Sequence, residues 1–293
     1  MSRLLIVDGH AYAYRAFHAI RDLRSPTGES TNAIYGFLKM LEKMRMAIMP
    51  THLIVVWDGG LSAERMLALP EYKAQRPAMP DDLRPQFDEI GSFLDAAGIA
   101  QYCGDGVEAD DYIGVLAQRA ASEGLSVVIA SSDKDFMQLV TERIGLLNPN
   151  DKTGKIWGRD EVFAKAGVEP GQIIGWLALM GDAVDNIPGV PGVGPKTAAG
   201  LLAEFGTVEN LLMRIAEVKS ERLKAAIAVS AESVRRNLNL VRLQSVECEF
   251  KPEDLVVRKR DVENLRGLFR RWGFKGMLAE LDAQSPEQQA DLI

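Results

Sequence analysis

The chain has 293 residues, 47% of them hydrophobic and 26% charged, the proportions of an ordinary globular protein long enough to bury a sizeable core. No run approaches eighteen apolar residues, which excludes a membrane-spanning helix, and two cysteines, Cys103 and Cys248, are too few for a disulfide scaffold or a thiolate zinc site. The net charge of −7 speaks against a nucleic-acid partner only if the acids are evenly spread; setting aside nine that gather at one expected site turns the balance to +2.

The opening "MSRLLIVDGH" has no basic flank, long apolar stretch or small-residue cleavage site. It reads as a first strand and not a signal peptide, so the expected compartment is the cytoplasm. Strands are predicted over 3–8, 52–58, 126–133 and 143–148, each a short apolar run. Between them lie the helical patterns 33–48, 83–98 and 110–124; in the last, Ala109, Ile113, Leu116, Ala117 and Ala120 form one apolar stripe. Strands alternating with helices predict an α/β fold with a mostly parallel sheet.

The stretch 60–86 is a long excursion with basic residues at 65, 73, 76 and 84, broken by Pro70, Pro77 and Pro80, and reads as a functional loop. From about residue 170 the strand signals stop and helical patterns take over, interrupted by "NIPGVPGVGPKTA" at 186–198. The expected organisation is an α/β core over 1–170, a helical subdomain over 171–282 and a polar, frayed tail over 283–293.

Three predicted strands end in an aspartate: Asp8, Asp58 and Asp133. In a parallel α/β sheet those ends face one crevice, where ligands bind. Glu108, Asp110 and Asp111 open the helix at 110, with no Lys or Arg among their neighbours in sequence. Asp135 lies two places past Asp133, and Asp182 and Asp185 are spaced to share a face if their segment is helical. Any one of these is also an ordinary helix cap or turn residue. Nine together call for neutralising cations, and hard oxygen donors with few His or Cys nearby favour Mg²⁺ or Mn²⁺. Two such ions suit in-line displacement at a phosphodiester or phosphate ester.

"GVPGVGPKTA" is not a nucleotide P-loop, because Pro195 separates Gly194 from Lys196 and the preceding "DNIP" is no strand. A helix, a tight glycine turn and a second helix starting near Lys196 fit better, with Gly192 and Gly194 letting backbone N–H groups approach a phosphate. Lys73 and Arg76, after Tyr72, suit contact with a scissile phosphate, as does Arg15 beside Asp8; singly, each also reads as a solvated surface charge.

The segments "LLIVDGHAYAYRAFHA", "PEYKAQRPAMPDDLRPQ", "GVEADDYIGVLA", "SSDKDFMQLV" and "MGDAVDNIPGVPGVGPKTA" occur in an order that resembles the 5′-nuclease domain of bacterial DNA polymerase I, from about residue 3 to 280. The wider group is the flap endonucleases, with a PIN-like core. The resemblance implies a structure-specific 5′-3′ exonuclease and flap endonuclease leaving 5′-phosphate and 3′-hydroxyl ends. Its implied metal residues are Asp8, Asp58, Glu108, Asp110, Asp111, Asp133, Asp135, Asp182 and Asp185, holding two or more Mg²⁺ or Mn²⁺ ions. Lys73, Arg76 and Arg15 are the expected catalytic cations. Tyr72, Gly189, Gly192, Gly194, Lys196 and Thr197 are the expected DNA contacts, the glycines within a helix–three-turn–helix element at 178–204 whose carbonyls carry K⁺. The segment 60–86 matches the family's helical arch.

Implied partners are DNA with a 5′ flap, a nick or primer RNA, and a separate DNA polymerase. The chain is expected to be monomeric, free-standing and nucleoid-associated. Three departures stand out: "ERML" keeps only Arg65 of the Phe-Arg-His-Glu common before the arch, Pro195 replaces a common Glu, and "AV" replaces a hydroxyl-containing pair in "GDAVDN". The competing expectations are a PIN-like ribonuclease on single-stranded RNA, a dehalogenase-like phosphatase using Asp8, and a non-catalytic DNA-binding module. The phosphatase lacks its second Asp, because His10 stands two places after Asp8.

Overall fold

The computed structural model describes residues 2–284, and the expected polar tail lies outside it from 285 onward. In chain order the elements are β1 (Arg3–Asp8), α1 (Gly9–Ala19), α2 (Asn32–Ile48), β2 (His52–Trp57), α3 (Ala63–Ala68), α4 (Arg84–Ala96), β3 (Ala100–Cys103), α5 (Ala109–Ser122) and β4 (Ser126–Ala130). There follow β5 (Ile144–Leu147), β6 (Ile156–Trp157), α6 (Arg159–Ala166), α7 (Ile173–Met180), β7 (Gly181–Asp182), β8 (Ile187–Pro188) and α8 (Pro195–Phe205). The last described elements are α9 (Val208–Met213), α10 (Glu221–Val229), α11 (Ala231–Leu240), α12 (Val262–Trp272) and α13 (Lys275–Gln284). No described helix is long and apolar enough to cross a membrane.

Two compact units interleave along the chain. The first holds residues up to 57, 78–103 and from 249 on. Its strands are parallel, β1 to β2 from Leu4↔His52 to Asp8↔Val56, and β2 to β3 from Ile54↔Ala100 to Trp57↔Cys103. Leu4 to Val7 and Leu53 to Val56 are fully buried, as continuous apolar runs in a sheet covered on both faces require. β3, reading Ala-Gln-Tyr-Cys, is half-exposed and carries no apolar run, so periodicity does not predict it. Helix α2 has no side-chain cap of its own. Instead the buried Gln86 of α4 accepts from Ala33 N (2.8 Å) and Ile34 N (3.2 Å) and donates to Asn32 Oδ1 (3.0 Å), satisfying the orphan first-turn donors.

The second unit holds residues 58–77 and 104–248. Here β4 runs parallel to β5 from Val127↔Ile144 to Ala130↔Leu147, and β6 turns back antiparallel on β5. Helices α3 and α5–α11 supply the rest, with an antiparallel two-residue hairpin of β7 and β8 inserted between α7 and α8. The fold class is therefore α/β with a mostly parallel sheet and a helical C-terminal part. Two local expectations change. Asp182 and Asp185 sit on the hairpin and its turn and not on a helix, and Ile187–Pro188 of "DNIP" is a strand, if a two-residue one.

A candidate metal and phosphate site

Within the second unit, backbone bonds fix the segments that carry the acids. Gly59 N donates to Val107 O and Gly106 N to Gly59 O, each at 3.0 Å, so the residue after Asp58 is laced to the turn before Glu108. Gly59 is obligatory there: a Cβ would fall 1.8 Å from the Gly104 carbonyl oxygen. Glu108 sits at the start of α5, with Asp110 and Asp111 in its first turn. Asp133 precedes a short 3₁₀ helix over Asp135–Leu139, and Asp133 Oδ1 accepts from Asp135 N at 2.9 Å.

Much of the counter-charge expected from metal comes instead from the protein. Arg65, buried on α3, donates to both Asp111 oxygens at 2.7 Å, and its remaining donors reach the Leu240 and Arg242 carbonyls at 3.0 and 2.9 Å. Asp111 also accepts from Gln244 N at 2.7 Å. Asp111, expected as a metal residue, thus accepts three hydrogen bonds, two of them from one guanidinium fork. Glu108 bonds to Lys73 Nζ, accepts from Ser62 N at 2.9 Å and lies 3.3 Å from Arg65. Burial alone would raise its carboxyl, but Lys73 and Arg65 outweigh that and hold it below the ordinary range.

Tyr72, expected as a DNA contact, is buried instead, its hydroxyl 3.1 Å from Glu108 Oε2 and 3.3 Å from Asp185 Oδ2. Burial, then Asp185 and Glu108, push its phenol well up, so it stays a hydrogen-bond donor. Lys73 is buried too, with a left-handed backbone (φ 55°) and its amide on the Asp185 carbonyl at 3.0 Å. Arg76 is more open and donates to Asp185 Oδ1 at 2.7 Å.

Asp135, Asp182 and Asp185 converge. One carboxylate oxygen from each lies within 4.8 Å of the others, although the three span fifty residues. Lys134 donates to Asp182 Oδ2 at 2.5 Å, and Val184 N to Asp182 Oδ1 at 3.0 Å. Asp135 Oδ1, sealed from solvent, has no hydrogen-bond partner among the described residues. Burial, then Asp133, push the Asp135 carboxyl well above the usual range, and burial also raises Asp133. An orphaned oxygen among crowded, buried carboxylates is costly alone and is what a hard divalent cation satisfies, so the donor set fits such an ion.

The glycine turn divides by role. Gly189 is a packing glycine: a Cβ would fall 2.2 Å from the Met180 carbonyl. Gly192 (φ +82°) and Gly194 face open space, and Gly194 caps α8 with Pro195 at its first turn. Trp176 Nε1 ties the turn down on the Pro195 carbonyl at 3.0 Å; Lys196 is exposed and Thr197 half-buried.

Residues 3–167 match the family model described as 5′-3′ exonuclease, N-terminal resolvase-like domain, and residues 168–263 match 5′-3′ exonuclease, C-terminal SAM fold. The chain belongs to the 5′-3′ exonuclease family. It is 39% identical over 284 residues to a 5′-3′ exonuclease of Aquifex aeolicus, covering 96% of each chain. It is 38% identical to DNA polymerase I of Bacillus caldotenax, covering 99% of this chain and 33% of the polymerase, so it spans about a third of that relative. A T5 5′-exonuclease structure with bound zinc superposes with a TM-score of 0.69 at 27% identity, over 82% of this chain and 89% of that one.

Of the expected residues, Asp58, Glu108, Asp110, Asp111, Asp133, Asp135, Asp182, Asp185, Lys73 and Arg76 belong to the second unit. Asp8 and Arg15 belong to the first, where Asp8 caps α1 by accepting from Ala11 N at 3.0 Å and Arg15 lies exposed on that helix. Sequence reasoning missed Lys134, although its place between Asp133 and Asp135 signals it, and gave Arg65 no task, because its partners lie 46 and 175 residues away.

Proposed function

We propose that this family member is a structure-specific 5′ nuclease whose divalent ion, Mg²⁺ or Mn²⁺, is held by Asp135, Asp182 and Asp185. The observation that carries this reading is their convergence within 4.8 Å around the unpartnered Asp135 Oδ1. A divalent ion there supplies Lewis-acid activation of water and charge neutralisation in phosphodiester hydrolysis. Asp133 braces the cluster through the Asp135 amide, and Lys134 holds Asp182. Asp58, Glu108 and Asp110 are the candidates for a second ion. Lys73 and Arg65 keep Glu108 ionised and placed, and Arg76, the more open cation, is suited to a substrate phosphate.

Gly192 and Gly194, where an added side chain would meet open space, with the exposed Lys196 suit a duplex backbone gripped without reading its sequence, and K⁺ is proposed for the same turn. The proposed substrate is DNA with a 5′ flap, a nick or primer RNA, cut by a cytoplasmic, nucleoid-associated monomer working beside a DNA polymerase. Product mapping on a nicked, flapped duplex tests this. Mg²⁺-dependent cuts at the junction with 5′-phosphate ends support it, and preferential cutting of the free single strand contradicts it.

A further inference from the structure

Beside the acidic cluster the second unit holds a cavity of about 330 Å³, lined by Asp133, Lys134, Asn148, Asp151, Trp157 and Lys165 among others. That is within the usual range for a small-ligand site, and it suits one nucleotide and not a duplex. Its wall is shared with the cluster: Asp133 Oδ1 accepts from Asp135 N, and Lys134 reaches Asp182. Trp157 is half-buried and rigidly set, paired in register with Leu146 and donating from Nε1 to Asp151 Oδ2 at 2.7 Å. No other aromatic ring packs on it among the described residues. Lys165, exposed near the end of α6, makes no ion pair there, and Asn148, whose Oδ1 accepts from Asn150 N at 2.9 Å, has an amide NH₂ with no bond among the described residues.

A fixed indole, an uncommitted ammonium and an uncommitted amide are the three groups that recognise a nucleotide: by stacking, by phosphate charge and by a base-edge hydrogen bond. We propose that this cavity is a nucleotide subsite, receiving an unpaired nucleotide of the substrate strand next to the scissile phosphate, with its base on Trp157 and its phosphate on Lys165. The inference rests on the nuclease reading above for its substrate, and on the cavity's own residues for its ligand class.

The test is tryptophan fluorescence of the intact chain titrated with dTMP, and separately with thymidine and inorganic phosphate, in EDTA. The expected result is saturable quenching by dTMP that is absent in Trp157→Phe, and at least several-fold weaker dTMP binding in Lys165→Gln with thymidine binding unchanged. In turnover, Trp157→Ala should raise KM for a flapped duplex about tenfold with kcat nearly kept, the effect of one lost stacking contact. Quenching that persists in Trp157→Phe, or dTMP binding no tighter than thymidine, overturns the subsite. A chain that binds dTMP through Trp157 yet cuts no flapped duplex overturns the nuclease reading and leaves the subsite intact; normal cutting without Trp157-dependent quenching does the reverse.

Discussion

Two groups of buried carboxylates in the second unit are handled in opposite ways. Both Asp111 oxygens accept from the Arg65 guanidinium, which also donates to the Leu240 and Arg242 carbonyls and lies 3.3 Å from Glu108. Asp135 has an oxygen with no partner among the described residues, and three of its four charged neighbours share its sign. Both groups are enclosed and both contain acids from the start of a helix, so the difference is not solvent. The first is neutralised by a guanidinium of the protein, while the second keeps an oxygen that no described residue reaches. Lys134 and Arg76 soften that contrast, each touching one acid of the open cluster without reaching Asp135 Oδ1.

The contrast can be broken most severely from the open side. Asp182→Ala should lower Mg²⁺-dependent flap cleavage by orders of magnitude in a time course while flap binding survives, since the loss falls on ion-assisted hydrolysis. Unchanged turnover would remove Asp182 from the site. From the closed side, Arg65→Ala leaves the Asp111 carboxylate buried without its cation, and urea unfolding should show a loss of about 3–5 kcal/mol. A smaller effect separates the two groups directly. Without metal, and at a pH high enough to ionise the raised Asp135 carboxyl, Asp135→Asn should raise the melting temperature by removing one of several crowded charges. It should also abolish the stabilisation of about 2.7 kcal/mol that an ion at a hundredfold excess over Kd gives the wild type. The smallest effect is at the glycine turn, where Lys196→Ala should lower the salt dependence of flap binding by about one unit of slope, measured between low and physiological salt.

What the sequence makes legible follows from the range of each interaction. The runs 3–8, 52–58, 126–133 and 143–148 announce strands because a strand buried on both faces has no polar side to hide it. Helices 33–48, 83–98 and 110–124 emerge from spacing and end within two residues of the observed bounds. β3 is hidden because it is half-exposed, with one paired neighbour in its unit. The hairpin under Asp182 and Asp185 is hidden because two-residue strands have no periodicity, so an i, i+3 spacing imitates a helix face. Acids after strands and at helix starts are visible locally, although β4 ends at Ala130, three residues before Asp133. Which of them meet a guanidinium and which meet each other is decided by contacts 35 to 113 residues apart, beyond any local pattern.

Asp135, Asp182 and Asp185 should together bind a divalent cation. Calorimetric titration of Mn²⁺ into the wild type and Asp182→Asn measures it most directly. Saturable binding to the wild type should be lost or greatly weakened in the variant; equal binding by both proteins would show that the three carboxylates hold no ion.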